Sequence, residues 1–309
     1  MISLGKTLLL ANPVAQSGRG LPMAHEAFDK LERALGEGSV DLVFSEAPRH
    51  AVEITAAVSN EYDTIIALGG DGLIHEIVNG SMKVPAESRA RIGVIPVGSG
   101  NDYARTLGMS SKLDESIFQM LTGREQVVDL GCCNGEYFME TLSFGLDAAI
   151  ALDTVERRKK SGSSGTMLYA ASGIDQLLHH LDSHKFKAEV ESPDGALRQI
   201  SGESITFAVQ VGRTYGGGFL ICPDARIDDE LFDVCIAHAP ISLPKALLLF
   251  GRAKNGGHVG AKNIELFQAR SISVTFESVP PAQIDGEAIT ATTFDVSMHP
   301  SAVTVIMGK

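Results

Sequence analysis

Apolar positions in this chain follow two rhythms, and the change from one to the other falls near residue 127. Before that point, short β-rich apolar runs at 7–11, 64–68 and from 91 onward alternate with segments at 22–35, 50–59, 72–82 and 113–122, whose apolar residues repeat at helical spacing. Such alternation predicts an α/β domain, Rossmann-like, built on a parallel sheet. Beyond Val127, runs rich in β-branched and aromatic residues dominate, at 137–144, 186–191, 204–211, 231–238 and 271–277, with Gly, Pro or Asp between most of them. Helical patterns at 166–181 and 243–250 interrupt the series. The second half therefore reads as a mainly antiparallel β domain with attached helices. A last apolar run at 303–307 reads as a strand that can join either domain.

Three of the first-half strands run straight into glycine-bearing loops and then into helices. The run at 64–68 ends in Gly69-Gly70-Asp71-Gly72; the run from Arg91 ends in Val97-Gly98-Ser99-Gly100 before Asn101-Asp102; the first strand ends in Asn12-Pro13-Val14-Ala15, followed by Ser17-Gly18-Arg19-Gly20. Glycine lets a backbone approach a ligand closely, and a helix starting there points unpaired N–H groups and its positive end at the same place. Anions, above all phosphates, suit such a site. Asp71 would repel a bare phosphate, so it reads as a partner for a Mg²⁺ ion riding on the phosphates. One such turn can be purely structural; three at one edge of a parallel sheet are where open α/β folds hold ligands. Two decoys fail. Gly5-Lys6-Thr7 has no glycine five residues earlier and precedes a strand, so it is not a P-loop. Gly98-Ser99-Gly100 lacks the third glycine of a dinucleotide fingerprint, which disfavours NAD as a hydride carrier.

Composition narrows the class. A chain of 309 residues with 44% hydrophobic content supports two domains, each with a full core. No apolar stretch approaches the roughly twenty residues that span a bilayer. The N-terminal apolar run is broken by Asn12-Pro13 too early for a signal peptide, so a cytoplasmic protein is expected. A net charge of −12 argues against nucleic acid as a partner. Against that background, Arg157-Arg158-Lys159-Lys160 beside Ser161-Gly162-Ser163-Ser164-Gly165 is a local basic cluster. It reads either as a solvated helix end or as a contact with an anionic surface. Cys132, Cys133, Cys222 and Cys235 show neither metal spacing nor a disulfide framework and read as reduced core residues. His179, His180 and His184 lack the remainder of a zinc motif.

Gly69-Gly70-Asp71-Gly72 followed by Glu76 and Asn79-Gly80, the later Pro96-Val97-Gly98-Ser99-Gly100-Asn101-Asp102, the opening Asn12 to Gly20 and the distant Ile284-Asp285-Gly286-Glu287 resemble, in order and spacing, the diacylglycerol kinase catalytic-domain family, in particular its soluble bacterial lipid kinases. The resemblance implies an enzyme moving the γ-phosphoryl group of ATP to a lipid hydroxyl, with ATP and Mg²⁺ as cofactors and a role in phospholipid metabolism. It implies a nucleotide domain over 1–127 with a C-terminal return at about 293–309, a lipid domain over 128–292, and a lipid met by peripheral contact at a membrane; a homodimer is compatible. Asn12, Pro13, Ala15, Ser45, Gly69, Gly70, Asp71, Gly72, Leu73, His75, Gly98, Ser99, Asn101 and Asp102 would then line the nucleotide site. Arg105, three residues after Asp102, could pair with it. His75 also reads as a plain helix residue. The family usually has Thr at Leu73 and more commonly Thr at Ser99; the Gly-Asp-Gly-Leu run is closer to sphingosine and ceramide kinases, which leaves the acceptor lipid open.

The second domain contributes two further candidates. Asp228, Asp229 and Glu230 crowd one turn, which ordinarily is only a solvated turn. In the resembled kinases the matching segment holds a structural Mg²⁺, which by position would fall to the Asp229 carboxylate and the Arg226 and Leu231 carbonyls. A family Gly is Glu230 here and would be strained if φ there is positive. Asp285-Gly286 is by itself a hairpin signal; the resemblance makes Asp285 and Glu287 the expected region of the general base. A sphingoid-base or other lipid kinase, or a nucleotide-binding regulator without transfer activity, are the alternative readings.

Overall fold

A computed structural model describes residues 2–161 and 166–308. The chain divides into unit 1, residues 1–128 with 301–309, and unit 2, residues 129–300. Strands β5 (Arg124–Cys133) and β17 (Thr293–Met307) run through the two boundaries, so the long final strand starts in unit 2 and only its part from Ser301 returns to unit 1.

Unit 1 alternates strand and helix as its apolar rhythm requires: β1 (Thr7–Ala11), the single turn α1 (Ala15–Gly18), α2 (Gly20–Leu35), β2 (Val40–Phe44), α3 (His50–Val58), β3 (Thr64–Gly69), α4 (Asp71–Ser81), β4 (Arg91–Pro96), α5 (Asp102–Thr106) and α6 (Leu113–Thr122). The strands pair in parallel in the order β2, β1, β3, β4, with the end of β17 added beside β4 through Val305 and Ile92. β1 and β3 are buried along their whole length, which explains their unbroken apolar sequences. Arg89 ties the returning tail down: its guanidinium donates to the Ser81, Val84 and Ala302 carbonyls, the last at 2.6 Å.

Unit 2 is mainly antiparallel. β6 (Glu136–Phe138) pairs with β5; β7 (Thr141–Gly145) and β8 (His184–Glu191) each pair with the long β9 (Leu197–Gln210). The short hairpin β10 (Thr214–Tyr215) and β11 (Phe219–Leu220) follows, then β12 (Phe232–His238), which pairs with β9 and with β13 (Ile264–Ala269). β14 (Ser271–Phe276) lies between β8 and the start of β17, and β15 (Ala282–Ile284) joins β7 and β16 (Glu287–Ala288). Where the sequence rhythm suggests one strand at 137–144, there are two, β6 and β7. Three helices attach: α7 (Leu146–Ser161), α8 (Thr166–His179) and α9 (Leu243–Ala253). An aromatic cluster fills the core, with the Phe144 ring 4.5 Å from Phe294, 5.1 Å from Phe276 and 6.0 Å from Phe207. All four cysteines are buried and free. The basic cluster ends α7, but residues 162–165 beside it lie outside the described residues. Among the described residues no helix is long and apolar enough to cross a membrane.

Within this core Asp147, at the start of α7, is buried and accepts a hydrogen bond from the Tyr215 hydroxyl. Burial pushes its carboxyl up to about 6, against the lowering effect of bonds from Tyr215 and Ser143. Because the folded value exceeds the unfolded one, the contribution of this group to stability is complete below about pH 4 and is lost as pH rises through about 6, a loss of about 3 kcal/mol. Asp147→Asn is therefore expected to melt higher than the parent at about pH 8 and to lose that advantage as pH falls toward about 4, measured by thermal unfolding across the range.

Candidate active site

The strand order of unit 1 reverses direction between β1 and β3, and the loops that leave such a switch point at the carboxyl edge are where open α/β sheets hold ligands. Asn12 to Gly20 leaves β1 and Gly70 to Gly72 leaves β3 at that edge, and Gly98 to Asn101 leaves β4 beside them. The loops after β3 and β4 touch through bare backbone: a Cβ on Gly70 would lie 3.0 Å from the Gly98 Cα, and a Cβ on Gly98 would collide with Gly70. Both positions demand glycine for close approach. The Gln16 amide donates to the Gly98 carbonyl at 3.5 Å, drawing the first loop toward the same point.

Side chains lock this arrangement. Asn101, at φ 53, accepts the Gly98 N–H at 2.8 Å and donates to the Gly98 carbonyl at 2.9 Å, closing the loop on itself. Asp71 opens α4 and accepts the Tyr103 N–H at 3.1 Å; its other carboxylate oxygen faces Gly100, where a Cβ would sit 2.9 Å away. Arg105 bonds Asp102 at 2.6 Å, the pairing their spacing suggests. The start of α4, with the positive end of its dipole, lies at this edge, so the site can hold a polyphosphate with Asp71 at its rim.

Other sequence candidates take different places. Ser45 follows β2, its N–H donating to the Ala11 carbonyl at 2.9 Å, which sets it at the same sheet edge. Leu73 is buried and packs back on Gly69, and its N–H serves the turn by donating to the Gly70 carbonyl at 3.0 Å. His75 is buried within α4, beside the Asn79 amide at 3.3 Å. Glu76 has a role that sequence does not announce: its carboxylate accepts the Arg49 and Ala51 N–H groups at 2.9 and 3.1 Å, capping α3 from a neighbouring helix.

In unit 2, Asp285 and Gly286 form the two-residue turn of the β15–β16 hairpin, with φ 46 and 95. Positive φ at both positions is what Asp-Gly supplies in such a turn. The Asp285 carboxylate accepts three backbone N–H groups, from Met139 at 3.0 Å, Glu140 at 3.1 Å and Thr141 at 3.0 Å. Glu287, two residues on, is exposed. The pair is thus divided, one carboxylate fixed by the fold and the other turned to solvent.

The acidic turn adopts the conformation that makes its departure from the family matter: Glu230 has φ 64. Its N–H donates to Asp129 at 2.7 Å, a carboxylate that sequence reading passes over because it stands alone in an apolar run. Leu231 N–H bonds Asp229 at 3.3 Å and Arg226 bonds Asp228 at 3.2 Å. Burial raises the Asp229 carboxyl against the lowering effect of the Leu231 N–H and the Arg226 guanidinium, and like charge from Asp129 and Asp228 adds a smaller rise.

Comparison with known proteins agrees with this geometry. Residues 6–133 match the family described as the diacylglycerol kinase catalytic domain, and residues 140–307 match the YegS C-terminal NAD kinase beta sandwich-like domain. The "Probable lipid kinase YegS-like" proteins of Yersinia pestis (strain Pestoides F) and Yersinia pseudotuberculosis serotype O:1b (strain IP 31758) are each 30% identical over 265 residues, 84% of this chain and 82% of theirs. A solved structure of a diacylglycerol kinase from Bacillus anthracis str. Sterne superposes with a TM-score of 0.79 at 21% identity, covering 100% of this chain and 99% of that one, a likeness of fold. Kinase families of this kind imply ATP as donor. With the backbone cradle, the two-domain architecture and the whole-length match together, this chain belongs to the diacylglycerol kinase catalytic-domain family of YegS-like lipid kinases.

Proposed function

We propose that this protein is an ATP-dependent lipid kinase that transfers the γ-phosphoryl group to a lipid hydroxyl, with diacylglycerol the first acceptor to test. The observation that carries the reading is the contact of bare backbone at Gly70 and Gly98 beside Asp71, a cradle suited to phosphates next to the switch point of the sheet. Asp71 would hold a Mg²⁺ ion, which neutralises charge on the phosphates when bound. Glu287 would take the proton of the lipid hydroxyl as that oxygen bonds to phosphorus and ADP leaves. Asp285, already committed to three N–H groups, would position the turn. Asp229, with the Arg226 and Leu231 carbonyls, would hold a second, structural Mg²⁺ by its position in the family pattern, a site resting on one carboxylate, since no three His, Cys, Asp or Glu side chains gather at one point among the described residues. The buried Leu73 offers no hydroxyl where related kinases have Thr, which favours a sphingoid base as the second acceptor to test. The lipid would be met peripherally, by a cytoplasmic enzyme.

Incubation with labelled ATP, Mg²⁺ and diacylglycerol, sphingosine or phosphatidylglycerol is expected to label one lipid; ATP binding with no labelled product on any would overturn the kinase reading. Glu287→Gln is expected to lower turnover by about a hundredfold or more with unchanged melting temperature. Asp285→Asn should lower both, since an amide cannot accept all three N–H groups; equal melting of the two variants would contradict the division of roles. Glu230→Gly should relieve backbone strain and raise stability by about 1 kcal/mol, a rise of about 2 to 4 °C in thermal unfolding.

A further inference from the structure

Two polar side chains of unit 2 lie where strands buried on both faces are ordinarily apolar. β7 and β15 pair so that Leu142 faces Ile284 and Phe144 faces Ala282 on one side of the sheet, while Ser143 faces Gln283 on the other. All six are buried, and the row that carries Gln283 and Ser143 continues into Ala208 of β9 and Cys235 of β12, both small and buried. An amide in such a row is unfavourable unless both of its ends are bonded.

Gln283 is bonded at both. Its Oε1 accepts the Gly286 N–H at 2.6 Å, and its Nε2 donates to the Ser143 Oγ at 2.8 Å. A peptide N–H can only donate, so this end fixes which way the amide faces and sets one direction along the whole chain of bonds. Ser143, having accepted from Gln283, gives its own proton to the Asp147 carboxylate, which also accepts from the Tyr215 hydroxyl. Such a chain needs a last member that only accepts. A carboxylate meets that requirement, and an amide, with two N–H donors, does not. Asp147 fills the place although its ionisation costs stability, which packing alone does not account for.

What the chain of bonds holds is a peptide that can flip. The Gly286 N–H belongs to the central peptide of the two-residue turn, and turning that peptide over converts a turn with positive φ at both central residues into one with positive φ at the first alone. Glycine makes the second state accessible at little cost. The Gln283 bond selects the first, with φ 46 at Asp285 and 95 at Gly286. The three N–H groups on the Asp285 carboxylate hold its side chain and not the peptide that follows it. Glu287 is the next residue, so the state of the turn sets where its exposed carboxylate points.

We infer that Gln283, Ser143, Asp147 and Tyr215 are positioning residues, a buried relay that fixes the Asp285-Gly286 peptide and through it aims the Glu287 carboxylate. The role of Glu287 as base rests on the lipid-kinase reading; the hold on Gly286 does not.

The test is amide hydrogen exchange of the full chain, read residue by residue by NMR, beside turnover. Gln283→Met and Ser143→Ala are each expected to speed exchange of the Gly286 N–H about fivefold or more, while the Glu140 and Thr141 N–H groups, held by Asp285, keep the parent rates. Both variants should lower kcat about tenfold on whichever lipid the parent labels, with KM for ATP unchanged. Ser143→Ala is the decisive variant, because the oxygen it removes reaches Gly286 through Gln283; it also decides the matter alone if Gln283→Met does not fold. An unchanged Gly286 rate in Ser143→Ala would overturn the relay, as would parent kcat in that variant. So would equal acceleration of all three amides, the mark of a hairpin loosened as a whole. A parent inactive on every lipid defeats the kinase reading instead and leaves the Gly286 rate to judge the relay.

Discussion

Everything proposed for unit 1 depends on two backbones meeting where no side chain fits. Gly70 and Gly98 belong to loops that leave neighbouring parallel strands, and a Cβ on either would force those loops apart. Their contact holds Asp71 against Gly100 and the Tyr103 N–H, and the Asn101 amide then shuts the second loop over it. A phosphate site made of main-chain N–H groups gains precision from such contacts, because peptide groups have fewer degrees of freedom than long cationic side chains. That suits a chain whose loops carry few cations and whose net charge is strongly negative.

Unit 2 spends its carboxylates differently. Asp285 is held by backbone donors, Asp229 lies between two acids and the Arg226 guanidinium, and Asp147 is buried with hydrogen bonds from Tyr215 and Ser143. Three environments give three roles: a fixed brace, a candidate cation ligand, and a buried proton carrier whose ionisation weakens the fold. Glu287 alone among the candidates here is open to a reactant.

The fold was legible where one rhythm decides it. Strands buried on both faces, such as β1 and β3, show as unbroken apolar runs, and α2 and α6 show as regular stripes. The short strands β6, β13, β15 and β16 were not legible, since two to six residues carry too little periodicity and take their shape from partners distant in sequence. Within the candidate site, glycines and acids were visible as types, and their division of labour was not. Whether Asp285 braces or reacts depends on residues 139–141, far away in the chain. Glu76 and Asn101 stand in the motifs, but the main-chain N–H groups their side chains accept are not written in any motif.

The donors that hold Asp285 are peptide N–H groups, and that has an evolutionary consequence. Any residue except proline at positions 139, 140 and 141 supplies the same three hydrogen bonds, so what limits those positions is the burial of their own side chains and not the turn. The anchor is a single side chain in a turn on one side and three successive peptide groups on the other. Homologues compared letter by letter would display an acid facing residues chosen for their packing, and the three hydrogen bonds that join them would leave no mark of their own on the second segment.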